Sequence, residues 1–162
     1  METVNDIQII EAVTDSDYNT AKELFLEYAS ELEFNLCFQN FEEELKQLRT
    51  QYGKPAGALY LVKHAGNFTG CAGVREFSGE ICELKRMYLR ISLRGKGTGR
   101  LLLNRTFEGA RQLGYKIMRL DTLPQMQSAI ALYEKSLFSE IEPYRLNPAE
   151  GTKYYEKNLK EN

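Results

Sequence analysis

The sequence predicts one α/β domain with helices on both faces of a central sheet. Three observations carry that expectation. Short runs alternate apolar and polar residues, as strands do, while longer segments repeat apolar residues at helical spacing. The two kinds interleave in the order β-α-α-β-β-β-α-β-α-β, with no linker and no internal repeat. A strand, a glycine loop and a helix also follow one another directly from Glu83 to Leu103.

The elements follow in order. Residues 7–12 alternate as a first strand. Thr14, Asp15 or Asp17 can cap the helix behind it. There Tyr18, Ala21, Leu24, Phe25, Tyr28, Ala29 and Leu32 form a stripe for packing on a sheet. Residues 35–40 read as a break and 41–48 as a second helix. Glu42, Glu43 and Glu44 fall in its first turn, where acids complement the helix dipole or wall a site for cations. Gly53, Pro55 and Gly57 make 51–58 a loop. Residues 59–64 and 68–76 form a hairpin around Ala65-Gly66-Asn67. A strand over 82–89 follows the turn at Ser78-Gly79. The helix from Thr98 runs to a glycine stop at Gly114. Then come a strand over 115–122, a helix from about Gln125, a polar loop over 143–151 and a last strand over 152–159.

Composition narrows the classes of function. At 162 residues, 1–162 is one domain with room for a real core. A net charge of −2 gives no overall basic surface for nucleic acid. No window approaches a membrane span, and Met1 to Asp6 lack the basic start of a signal peptide. The expectation is a cytoplasmic protein with no membrane and no nucleic-acid partner. Cys37, Cys71 and Cys82 lack metal-type spacing and suit reduced thiols. A zinc site would need more than the single His64, so no metal is expected.

The glycine loop carries the chemistry. Gly95, Gly97 and Gly99 deny it side-chain bulk, so backbone N–H groups can converge on one small object. The helix start adds positive potential there, and Arg94, Lys96 and Arg100 add full charges. Such a corner suits a phosphate or pyrophosphate. A nucleotide P-loop needs Gly-Lys followed by Ser or Thr, but Gly97 follows Lys96. A dinucleotide loop needs its third glycine at the sixth position, although Asp121 lies at about the offset of a ribose-binding acid. A surface turn with chance glycines is the remaining alternative. Arg94-x-x-Gly97-x-Gly99 between a strand and a leucine-rich helix fits better than any of these.

That motif resembles the acyl-CoA pyrophosphate loop of the GCN5-related N-acetyltransferase (GNAT) superfamily, and nearly the whole element order fits. The resemblance implies a mixed, mostly antiparallel sheet splayed between the strands over 82–89 and 115–122, with acetyl-CoA in the cleft. It implies that backbone groups of Met87, Tyr88 and Leu89 bind the thioester and pantetheine arm. Arg94, Gly95, Lys96, Gly97, Thr98, Gly99 and Arg100 would hold the pyrophosphate. A bulge is expected in the first splayed strand, because it frees backbone groups. A second signature is Ala129-x-x-Leu132-Tyr133 with the aromatic Phe138. Family members often have Asn where Met126 stands, and glycine where Leu137 stands.

The implied reaction moves the acetyl group of acetyl-CoA to a primary amine of a small molecule or peptide, by direct attack in a ternary complex. A backbone N–H near Leu89 would steady the carbonyl oxygen. Tyr133 would protonate the departing thiolate, or else is only a packing residue. Glu83 stands eleven residues before Arg94, the offset of the catalytic glutamate in the superfamily's histone acetyltransferases. It is either the base or a salt-bridge partner of Lys85 or Arg75. A covalent route through Cys82 or Cys71 ranks low, because no histidine adjoins either. The acceptor should meet residues 28–41, Arg75-Glu76 and Pro143-Tyr144-Arg145. A homodimer is allowed for. The alternative function is a non-catalytic acyl-CoA sensor or interaction domain on the same fold.

Overall fold

The computed structural model describes residues 6–32, 40–147 and 149–160. β1 (Ile7–Glu11) passes into α1 (Asp15–Glu31) through a reciprocal cap. The Asp17 N–H donates to the Thr14 hydroxyl, and the Thr14 N–H donates to the Asp17 carboxylate. The Val13 and Thr14 N–H groups, both donating to it, hold the Asp17 carboxyl below its ordinary value. Ala21, Leu24 and Phe25 of the predicted stripe are buried. Most of the break expected at 35–40, with Cys37, lies outside the described residues.

The second helical region differs from expectation. α2 (Phe41–Lys46) ends at Gln47, and α3 (Leu48–Tyr52) follows where the sequence suggested the start of a loop. Leu48 and Tyr52 are buried one turn apart and pin α3 to the sheet. Five residues are too few to display a helical period, so the breakers Gly53, Pro55 and Gly57 dominated the reading.

β2 (Ala58–His64), β3 (Asn67–Ser78) and β4 (Ile81–Leu89) form an antiparallel meander. A short 3₁₀ turn over Ile91–Leu93 leads to the glycine loop and α4 (Thr98–Gln112). β5 (Ile117–Thr122), α5 (Gln127–Lys135), β6 (Ser139–Ile141) and β7 (Lys153–Asn158) complete the chain. β6 was not expected; three residues at a sheet edge leave no alternation to read. The seven strands form one sheet in the order β1-β2-β3-β4-β5-β7-β6. Among the described residues only β4 and β5 run parallel.

Two layers cover the sheet. On one face Leu102, Leu103, Phe107 and Ala110 of α4 pack with Tyr133 of α5 on Tyr60, Val74, Leu84 and Met118. On the other, α1, α2 and α3 pack on Leu59, Leu61, Cys71 and Tyr88. Gly109 permits the close approach of α4, since a Cβ there would collide with the Tyr60 hydroxyl. Among the described residues no helix is long and apolar enough to cross a membrane.

Candidate active site

β4 and β5 pair over only three positions, Ile81 with Ile117, Cys82 with Met118 and Glu83 with Arg119. Beyond Glu83 the strands diverge, and the β4 edge facing β5 has no strand partner among the described residues. β4 also carries a bulge. Cys71 opposes Tyr88 and Gly73 opposes Lys85, so two residues of β4, Arg86 and Met87, stand against the single Ala72 of β3. Arg86 sits at φ 57, in the left-handed region. The extra residue changes the strand's phase. Glu83 and Lys85 face the α1–α3 layer, whereas Met87 and Leu89 pack on the α4–α5 side. Arg86 is also turned to the α1–α3 side, where Glu44 holds it in two hydrogen bonds of 2.9 and 3.0 Å.

The loop at the end of β4 is shaped by its glycines. Gly95 and Gly97 have φ of 75 and 83, and a Cβ at either would meet only open space. Gly97 precedes α4 directly, so the first N–H groups of that helix face an unobstructed corner. Gly99 lies against Leu132 and Met87. Thr98 is buried, and its hydroxyl has no hydrogen-bond partner among the described residues. Lys96 and Arg100 are exposed. Arg94 donates to the Leu89 carbonyl at 2.8 Å and pairs with Glu31 at 2.7 Å. The Tyr88 hydroxyl donates to Glu31 and Glu27 of α1, and its ring lies under the Arg94 guanidinium.

Tyr133 reaches the cleft from α5. Its hydroxyl lies 3.9 Å from the Met87 sulfur, and burial raises its pKa well above the ordinary phenol value. The helix end fixes it. The Phe138 N–H donates to the Tyr133 carbonyl and the Leu137 N–H to that of Glu134, the paired bonds of a Schellman cap. Phe138 then packs edge-on against Tyr133, with ring centroids 5.6 Å apart. Leu137 takes the left-handed position itself, at φ 70.

The opposite face of the cleft is charged. Glu83 is 1 % exposed. One oxygen accepts from Arg75 at 3.1 and 3.2 Å; the other accepts from Tyr144 at 3.0 Å and meets Arg145 at 2.6 Å. Burial alone would raise its pKa, but Lys85, Arg145 and Arg75 together hold it below the ordinary carboxyl value. A pocket opens beside this cluster, where β4 and β5 part. Lys85 and Arg86 line it from β4, Asp121 and Thr122 from β5, Tyr28 from α1 and Leu32 just past its end, together with Met126 and Asn147. Lys85 Nζ lies 3.9 Å from Asp121 Oδ1.

Residues 18–137 match the acetyltransferase (GNAT) family. The chain is a member of the GNAT family. An uncharacterised N-acetyltransferase of Schizosaccharomyces pombe is 35% identical over 152 residues, covering 93% of each chain. An uncharacterised N-acetyltransferase of Escherichia coli is 35% identical over 104 residues, 62% of each chain. Among solved structures, a GNAT acetyltransferase of Staphylococcus aureus superposes with a TM-score of 0.78 at 20% identity, covering 94% of this chain and 99% of its own. A Salmonella typhimurium protein described with its cofactor acetyl-CoA gives 0.69 at 20% identity, covering 98% and 96%. The mixed, mostly antiparallel sheet read from the resemblance is the GNAT fold.

The GNAT motif residues divide between the two sides of the splay. Met87, Leu89, the 94–100 loop and Tyr133 gather on the α4–α5 side, and Glu83 lies across the sheet from them. Of the stretches expected to meet an acceptor, Tyr28 lines the pocket, whereas Arg75, Tyr144 and Arg145 converge on Glu83. Residues 33–39 of the first stretch lie outside the described residues. Glu44 is neither a solvated first-turn acid nor a pocket wall, because it is buried against Arg86, Arg75 and Tyr52. Sequence reasoning gave Lys85 and Asp121 no part in binding the acceptor. The available signal was the polar face of β5: Arg119 and Asp121 alternate with buried Met118 and Leu120.

Proposed function

We propose that this GNAT protein is an acetyl-CoA-dependent N-acetyltransferase. It moves the acetyl group to a primary amine of a small molecule or peptide, by direct attack in a ternary complex. One observation carries the reading. An anion-shaped glycine corner and a buried tyrosine hydroxyl lie on one side of splayed strands, and a polar pocket lies on the other. The names of the relatives support it, as N-acetyltransferases.

In this reading Arg94, Gly95, Lys96, Gly97, Thr98, Gly99 and Arg100 hold the pyrophosphate, mainly through backbone N–H groups and helix potential. The unpaired edge of β4 at Met87, Tyr88 and Leu89 takes the pantetheine arm as an added strand. The amine enters from the α1 side. Its nitrogen bonds to the thioester carbon, the C–S bond breaks, and Tyr133 gives its proton to sulfur. A backbone N–H near Leu89 steadies the oxyanion. Cys71 and Cys82 do not carry the acetyl group, since burial pushes both thiols up, Cys82 to about 12. Glu83 serves here as the clasp for Arg75, Arg145 and Tyr144, its carboxylate being fully engaged.

The test is release of free thiol from acetyl-CoA across a panel of primary amines, with products read by mass spectrometry. Amine-dependent thiol release with a matching amide is the expected result. Tight acetyl-CoA binding with no transfer to any amine would make the protein a non-catalytic acyl-CoA sensor instead.

A further inference from the structure

Asp121 is the odd group in the charged layer. Its side chain is 8% exposed, yet Oδ2 has no hydrogen-bond partner among the described residues. A buried carboxylate oxygen without a donor is costly, and it faces a pocket that can admit one. The other oxygen lies 3.9 Å from Lys85 Nζ, on a side chain only 3% exposed. We infer that Asp121 holds the ammonium group of a cationic acceptor, and that Lys85 takes its proton before attack. This inference rests on the acetyl-transfer reading.

The chemistry favours this assignment over Glu83. An alkylammonium holds its proton near 10 and an ordinary carboxylate near 4, so a carboxylate is a poor match for stripping it. A neutral amine that titrates near the working pH is a better one. Burial first, then the neighbouring Arg86, lowers Lys85 to about 8. Arg75 of β3 acts in the same sense, while Glu83 of its own strand and Asp121 of β5 oppose it. Glu44 of α2 compensates Arg86, Tyr144 and Arg145 engage Glu83, and Tyr28 of α1 closes the pocket. The step balances. The ammonium proton passes to the Lys85 nitrogen, the freed lone pair attacks, and Lys85 returns the proton to solvent after product leaves. The amine's second proton replaces the one Tyr133 gives to sulfur.

The pH dependence of kcat/KM with a lysine-like amine tests the assignment, because that acceptor alone ionises at about 10.4. With Lys85 as base the rate rises along a limb near 8. In Lys85→Met the neutral-pH rate falls about 10²-fold or more and the limb moves to the acceptor's own value. Asp121→Asn raises KM for the amine at least about tenfold, from loss of a charged hydrogen bond. It also moves the limb to lower pH, since the carboxylate that favours protonated Lys85 is gone. Calorimetric titration with acetyl-CoA shows that each variant is folded. A wild-type limb at the acceptor's pKa, or an unchanged limb in Lys85→Met, overturns the inference while leaving acetyl transfer standing. NMR titration of the lysine side-chain nitrogens in the unmutated protein needs neither turnover nor a variant. A Lys85 signal titrating near 10 would overturn the inference even if no amine were accepted.

Discussion

Tyr133 combines the two properties of a proton donor to a leaving thiolate. Burial keeps its phenol protonated through neutral pH, and the Schellman cap with Phe138 fixes its position beside Met87. Tyr133→Phe is expected to lower kcat about 10²-fold or more and to leave acetyl-CoA affinity unchanged, as read by steady-state kinetics and calorimetry. Unchanged turnover would reduce the ring to packing. Glu83 calls for a different measurement. Its depressed pKa keeps it ionised at neutral pH, so the stability it contributes is present above about 4.5 and is lost as pH falls through its lower folded value. Glu83→Gln should loosen Arg145 and Tyr144, lowering kcat/KM and melting temperature, and should move the pH–rate limb to lower pH, because Glu83 also favours protonated Lys85. Recovery of the variant's rate at high pH would instead make Glu83 the base. As candidates, Tyr133 and Glu83 were legible because the first lies within a motif and the second at a fixed spacing from one. Lys85 and Asp121 were not, because they meet only through the spatial pairing of two strands far apart in sequence.

The elements with long periods, α1 and α4, and the meander from β2 to β4 were legible almost to their ends. α3 and β6 were not, being shorter than the period that would reveal them. The bulge in β4 was expected only through the family resemblance, since nothing in alternation marks one extra residue. The exit of α5 was read as a missing glycine, yet the cap forms with leucine in its place. An L-residue in the left-handed region costs about 1–2 kcal/mol, and Leu137 is 47% exposed, so its side chain recovers little of that by packing. Leu137→Gly should therefore stabilise the fold by about 0.5–1 kcal/mol, after the added freedom of glycine in the unfolded chain. Urea denaturation measures it; a destabilised variant would show that the Leu137 side chain contributes more than its backbone costs.

The whole molecule has two unlike halves. The α4–α5 side is largely apolar, with Lys157 buried over Phe107, while the α1–α3 side carries a layer of buried charge above its own apolar cluster. In that layer Glu44 joins Arg86 and Arg75, and Arg75 joins Glu83. Removing one member leaves its partner buried and uncompensated, so Glu44→Ala should cost about 3–5 kcal/mol in urea denaturation. A loss below about 1 kcal/mol would mean that water replaces the carboxylate. Composition could not reveal this asymmetry, because the sequence's charges balance nearly to zero wherever they fall. The phase change in β4 lets one strand serve both halves. Ahead of Arg86, Glu83 and Lys85 face the α1–α3 layer; behind it, Met87 and Leu89 face α4 and α5. Substitutions on the pocket-facing side of β4 therefore leave Met87 and Leu89, on the other face, in place. In the proposed reaction, the parity of a single strand keeps the acceptor side and the acyl-donor side apart, so one can diversify without relearning the other.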